Sequence, residues 1–288
     1  MPLTRADFRF FHRLRVRWAE VDMQKIVFNA HYLMYFDTAV TEYWRALAFP
    51  YQAGMAHLGG DLYVVKATVE FHASAEMDDQ IDVAMKCERI GKSSMTFRGA
   101  IFRGDQHLIS GEIVYVYADP ATQSSRPVPD ALRALLTDYE AGGPVTSVHV
   151  GDWATLGPAA RGLRTEVFVR EQRIDESLEL DALDAGAVHA VVTNRIGQTV
   201  ACGRLLRGGE PGVAKIGRMA VMRPLRGGGL GAQVLAALSE AARARGDREV
   251  VLHAQRSAEG FYQRLGFAVR GEPFEEAGIP HVTMVRAL

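Results

Sequence analysis

The feature that most restricts how this chain can fold is the Gly142-Gly143-Pro144 triplet, which stops helix and strand alike. It ends the segment RPVPDALRALLTDYEAGGP, Arg126 to Pro144, in which a short helical pattern runs out into the break. A chain of 288 residues is long for one core and comfortable for two. The break therefore predicts two domains, residues 1–141 and 145–288, and the order of elements differs on its two sides.

Before the break, Leu33, Phe36, Val40, Tyr43 and Leu47 recur at three- and four-residue spacing, with further apolar groups on the other faces. That spacing predicts a deeply buried helix. Leu62–Phe71, Gln80–Ile90, Met95–Arg103 and His107–Ala118 read as strands rich in β-branched and aromatic residues. Turn residues at Asp78-Asp79, Ile90-Gly91-Lys92 and Gly104-Asp105-Gln106 predict an antiparallel meander wrapped around the helix, an α+β hot-dog arrangement.

After the break the pattern is mixed α/β. A strand at Val145–Val150 precedes helical sequence at Pro158–Glu171. Strands follow at His189–Asn194, Thr199–Leu206 and Val213–Val221, the first two expected to pair antiparallel across a short joint. A glycine-rich turn then opens a helix, and strand, helix and terminal strand complete the domain. There is no internal repeat between the halves.

The strongest local signal is KIGRMAVMRPLRGGGLGAQVLAALSEAARARG, Lys215 to Gly246, which reads as strand, turn and helix. Gly227, Gly228, Gly229 and Gly231 remove side chains where the chain turns and approaches a ligand, and Leu230 and Ala232 lead into the helix. Main-chain N–H groups converging at a positive helix end suit a diphosphate, with Arg226 adding charge at the rim. A Walker loop needs Lys and Ser or Thr after its last glycine, but Ala232 and Gln233 follow Gly231. A dinucleotide fingerprint is met by Gly227, Gly229 and Ala232, yet it opens a parallel βαβ series, and too little chain remains here for one.

RGGGLG resembles the Arg/Gln-x-x-Gly-x-Gly/Ala coenzyme A loop of the GNAT acyltransferases. AQRSAEGFYQRLGF, ending at Phe267, is similar to that superfamily's later motif, with Gln255 in place of the usual Asn. FVREQ (Phe168–Gln172), IGRMAV (Ile216–Val221) and GEPFEEAGIPHVTM (Gly271–Met284) resemble its ElaA-like and YjcF-like branch. The resemblance implies a mixed sheet flanked by helices. It implies direct attack of an amine on the thioester of acetyl-CoA, polarised by N–H groups near Met219, Ala220 and Val221, with Tyr262 protonating the leaving thiolate. The plain alternative for Tyr262 is a core aromatic beside Phe261. No base is marked; Glu171, Asp184, His189, Glu272 and His281 are polar candidates for the acceptor pocket, and Gln172 lies beside them in a branch-specific segment.

LRVRWAEVDMQKIVFNAHYLMYFDTAVTEYW, Leu14 to Trp44, resembles the hydroxybenzoyl-CoA and Tol-Pal-associated thioesterases, and AMKCERIGKSSMTFRGAIF, Ala84 to Phe102, extends the likeness. The resemblance implies a thioester carbonyl held at the start of the buried helix, near Asn29 to Tyr32, with Asp22 as general base or nucleophile. Lys92, Ser93 and Ser94 in the IGKSS turn become candidates for the phosphate end of CoA, a solvated hairpin tip being the alternative. Trp18 and Asn29 depart from the Tyr and His of Tol-Pal-type members, and Asn29 also suits a helix N-cap. His31 reads equally as a first-turn helix histidine.

A formal charge of -1 argues against nucleic-acid binding, and no stretch reaches the length of a membrane span, so a cytoplasmic location is expected. Cys87 and Cys202 are too far apart for a metal-spaced pair, and no metal is expected. The expectation is a protein of two acyl-CoA-using halves, a thioesterase and an N-acetyltransferase, forming a dimer or tetramer through the hot-dog half. Two alternatives stand beside it: a hot-dog half that only binds acyl-CoA or dimerises and regulates its neighbour, and a GNAT half that senses CoA without transferring.

Overall fold

The structure, a computed structural model, describes residues 3–288. Their contacts divide into two units, Met1–Val145 and Thr146–Leu288.

The first unit contains β1 (Phe10–Arg15), α1 (Asn29–Ala46), α2 (Tyr51–Leu58), β2 (Asp61–Phe71), β3 (Gln80–Ile90), β4 (Ser94–Arg103), β5 (Gln106–Ala118) and α3 (Asp130–Glu140). The five strands form one antiparallel sheet in the order β1-β3-β4-β5-β2. Consecutive pairing holds for β3, β4 and β5, but β2 pairs with β5 rather than with β3, so the expected meander is corrected at that joint. The reason is a crossover at residues 72–79. Ala75 N–H donates to the Tyr32 hydroxyl at 3.0 Å and Ala75 C=O accepts from Val27 N–H at 2.9 Å, which ties the connection to the start of α1.

Helix α1 lies close to the sheet because two glycines face each other across β4 and β5. Gly99 and Gly111 are register partners, and a Cβ on either would sit 2.5 Å from the Phe36 ring. Phe36, Ala39 and Tyr43 are fully buried along this contact. The burial is one-sided, however. Leu33 and Met34 remain about two-fifths exposed at 42% and 41%, so Leu33 is not the core residue its spacing suggested. Asn29 is the first helical residue rather than the cap; Phe28 occupies the cap position and no side chain caps the helix.

The second unit contains β6 (Thr146–Gly151), α4 (Trp153–Arg164), α5 (Glu176–Glu179), β7 (Val188–Asn194), β8 (Thr199–Arg207), β9 (Val213–Val221), α6 (Leu230–Ala244), β10 (Glu249–Gln255), α7 (Glu259–Arg264), β11 (Ala268–Val269), β12 (Phe274–Glu276) and β13 (Ile279–Ala287). Helix α4 starts earlier than expected because Asp152 caps it, accepting from Thr155 N–H at 2.9 Å, and Pro158 lies inside. It continues as a π-helical turn over Thr165–Glu171.

The strand order is β11-β13-β10-β9-β8-β7-β6, with β12 added on β13. All neighbours are antiparallel except β9 and β10, which run parallel. Their shared register ends at Ile216 and Leu252, and beyond it the two strands part. On the other side of β9, Arg218 and Met219 together oppose Gly203, a bulge in which Arg218 takes φ 53°. Gly203 is needed there: its Cβ would lie 2.7 Å from both Met219 Sδ and Val234 Cγ1. The mixed sheet of this unit and the antiparallel sheet around a helix of the first are the two architectures expected from the sequence.

Candidate functional site

The parting of β9 and β10 leaves one side of β9 without a strand partner. Met222 N–H donates to Val200 of β8 at 2.9 Å, so strand alternation turns the Val221 N–H away from β8 and toward the opening. The chain then passes through Arg223–Leu225 into the glycine turn and α6. Gly227 and Gly229 adopt φ of 88° and 83°, a region costly for any residue with a Cβ. Gly229 is the N-cap of α6. Among the described residues no acceptor takes the N–H groups of Gly227, Gly229, Leu230 or Gly231, whereas Gly228 and Ala232 donate to Leu225 and Gly229. Four donors at the positive end of a fifteen-residue helix favour an anion there.

Arg226 does not stand free at this rim. Its Nη1 and Nη2 donate to Glu171 at 2.6 and 2.8 Å and its Nε donates to Val221 C=O at 3.1 Å. The expected extra cation is thus engaged by a carboxylate from the π-helical turn, and the uncommitted donors of the loop are main-chain.

Next to the parted strands lies a cavity of about 450 Å³, lined by Met219, Gln255, Tyr262, His253, Glu276 and His281 among others. Gln255 Nε2 donates to Gln172 Oε1 at 2.9 Å, joining two residues singled out from different motifs. Tyr262 is buried against Phe261 and Phe267, and burial pushes its phenol up to about 12. No described residue hydrogen-bonds its hydroxyl. Of the base candidates, His281 lines the cavity, with Nδ1 2.7 Å from Ile279 C=O. Asp184 is consumed by Arg164 and Arg204, and His189 Nε2 lies 3.0 Å from Asp184 C=O in the same buried network. Glu272 is exposed outside the cavity.

In the first unit, Asp22 sits in a tight turn before α1. Its Oδ1 accepts from Gln24 N–H at 2.8 Å, and its main chain accepts from Lys25 and donates to Ile26. Oδ2 has no described partner. The turn is fixed to α1 from below: Phe28 N–H donates to Glu20 C=O at 2.9 Å, and the Tyr35 hydroxyl donates to Glu20 Oε2 at 2.7 Å. Arg17 closes on the same carboxylate. Among the described residues no main-chain acceptor takes the N–H groups of Asn29 and Ala30 at the helix start. Lys92, Ser93 and Ser94 lie elsewhere. Their turn is bound to Val128 and Tyr117 at the far end of β3, while Asp22 belongs with residues 75–79 before β3 begins, so about 30 Å of strand separates them. One chain does not bring them together.

A GNAT acetyltransferase domain model matches residues 154–288, and a thioesterase superfamily model matches residues 24–110, a span that starts just after Asp22. The chain is 36% identical over 129 residues to the uncharacterized protein YyaT of Bacillus subtilis, covering 44% of this chain and 85% of that one. It is 35% identical over 125 residues to the uncharacterized N-acetyltransferase YjcF of Bacillus subtilis, covering 43% and 87%. It is also 29% identical over 122 residues to the acyl-CoA thioester hydrolase YbgC of Escherichia coli, covering 42% and 90%. The chain belongs to both families.

The GNAT half and the thioesterase half thus each come from an enzyme class that uses acyl-CoA. In the GNAT half, Met219, Gln255 and Tyr262 share one cavity, and Arg226 to Ala232 form the adjoining turn. His253 carried no motif signal, and Glu276, though inside the GEPFEEAGIPHVTM segment, was not singled out; His253 Nδ1 lies 2.9 Å from Glu276 Oε2. The readable hint was their spacing, His253 standing two residues before Gln255 on the same strand face. Among the described residues no group of three or more His, Cys, Asp or Glu is arranged to hold a metal, and no helix is long and apolar enough to cross a membrane.

Proposed function

We propose that the chain is a bifunctional acyl-CoA enzyme: the thioesterase half hydrolyses an acyl-CoA thioester, and the GNAT half transfers an acyl group, acetyl by preference, from CoA to an amine. The observation that carries the reading is the parting of β9 and β10 beside four unpaired N–H groups of the glycine turn. A diphosphate on those donors directs the pantetheine arm into the opening, where the Val221 N–H meets the thioester carbonyl and Tyr262 meets the sulfur. The raised phenol stays protonated through neutral pH, as an acid for a thiolate must.

In the thioesterase half, the carbonyl rests on the Asn29 and Ala30 N–H groups and is attacked by water activated by Asp22, or by Asp22 itself. The Gln24 hydrogen bond leaves Oδ2 for that task. The distance from Asp22 to Lys92 supports a site completed by a second copy of the chain, whose own Lys92–Ser94 turn meets the CoA phosphates. Edge strand β2 exposes Val64 and Val65, with exposures of 54% and 61%, and suits the copy-to-copy contact.

The test uses the full chain with an acyl-CoA panel. Free thiol without amine reports hydrolysis, and mass-shifted amine reports transfer. Absence of hydrolysis at every chain length favours a thioesterase half that only binds and dimerises; CoA binding without acylated amine favours a GNAT half that senses.

A further inference from the structure

We infer that His253 is the base that takes the proton from the acceptor ammonium in the GNAT half, with Glu276 as its positioning residue. The inference rests on the acyl-transfer reading above and names the group that reading lacks.

Strand alternation sets the direction. Leu252 and Ala254 are buried in the core beneath α6, which turns His253 and Gln255 to the opposite face. On that face Gly217, the first residue of β9 past the shared register, lines the same cavity as His253. A Cβ built on Gly217 meets nothing within 4 Å, so the cavity stays open in front of the imidazole. The ring is held from behind: Nδ1 lies 2.9 Å from Glu276 Oε2, and the Phe274 ring stands edge-on at 4.9 Å. With Nδ1–H donating to the carboxylate, Nε2 carries the free lone pair, and no described residue occupies it.

The other charged groups around the cavity are committed or of the wrong sign. Glu179 is bound by Arg164 and Arg218, and Asp181 by Arg204 and Arg218. Facing the dyad are His281 from β13 and Lys215 from β9. His281 is buried and bonds a main-chain carbonyl, which stabilises an imidazolium less than a carboxylate does. Burial pushes the Glu276 carboxyl up, but the His253 hydrogen bond and the charges of His253, His281 and Lys215 hold it below the usual range. It is therefore ionised when His253 takes a proton.

His253 Nε2 accepts one proton from the ammonium, and the freed nitrogen lone pair attacks the thioester carbon. The C–N bond forms, the C–S bond breaks, and the thiolate takes the Tyr262 proton. The second proton of the attacking nitrogen returns to Tyr262 through water, and the imidazolium gives its proton to solvent.

The experiment measures acetylation of L-lysine, spermidine and a glycyl peptide by mass spectrometry, across pH, in the full chain. His253→Asn is expected to lower kcat about 10²–10³-fold and remove the acidic limb of the profile, with acetyl-CoA affinity unchanged by calorimetry. Glu276→Gln is expected to lower kcat less and to leave KM for acetyl-CoA unchanged, because the ring loses the carboxylate that orients it. Wild-type rate and limb in His253→Asn, or loss of the limb in His281→Asn alone, overturns the assignment. A wild type that binds acetyl-CoA and acetylates none of the amines overturns the transfer reading itself, and the dyad with it.

Discussion

Glu171 grips Arg226 through two hydrogen bonds of 2.6 and 2.8 Å, across 55 residues of sequence. The pair joins the π-helical turn to the rim of the glycine loop. The Arg226 hydrogen bond holds the Glu171 carboxyl below its usual range, so the pair is intact at neutral pH. Glu171→Gln removes the competing charge beside the anion site. The expected result in calorimetry is CoA binding tightened by about threefold to tenfold, with a steeper salt dependence.

Gly229 takes φ 83° at the cap of α6, with its own N–H unpaired. Gly229→Ala should strain the turn by about 1–2 kcal/mol and misaim the neighbouring donors. CoA affinity is expected to fall at least about tenfold, a loss of ~1.4 kcal/mol, while thioester hydrolysis by the other half is unaffected.

Gly99 and Gly111 sit under Phe36, where a Cβ would intrude to 2.5 Å from the ring. Overpacking of this kind typically costs about 1–3 kcal/mol. Gly111→Ala should lower the thermal midpoint of the thioesterase half in calorimetry and leave CoA binding by the GNAT half intact.

Burial pushes the thiols of Cys87 and Cys202 up to about 12, with Glu140 adding to the effect at Cys87. At pH 8 only about one thiol in ten thousand is then ionised. Ellman's reagent should label neither residue in the native protein and both in guanidinium chloride, so that released CoA is the only thiol read during turnover.

The sequence carried most of the strands because runs such as Gln80–Ile90 combine β-branched residues with marked turns. It did not carry the pairing of β2, which depends on the distant contact between Tyr32 and Ala75. Strand β1 was hidden because FFHRLR mixes aromatic and basic residues without a clean alternation. The glycine turn was legible since positive φ admits few other residues. Glu171 with Arg226, and His253 with Glu276, were not, because each pair meets only after separate elements fold together. Lys92 was grouped with Asp22 by family likeness, a grouping that strand length forbids within one chain.

The most direct test of two independent acyl-CoA sites compares wild type, Asp22→Asn and Tyr262→Phe in the same full chain, reading hydrolysis and amine acylation separately. The amide oxygen introduced by Asp22→Asn can still accept the Gln24 hydrogen bond, so the turn should survive. The account predicts that Asp22→Asn loses hydrolysis by about 10²–10⁴-fold and keeps transfer, and that Tyr262→Phe does the reverse. Loss of both reactions from either substitution, or of neither from both, contradicts it.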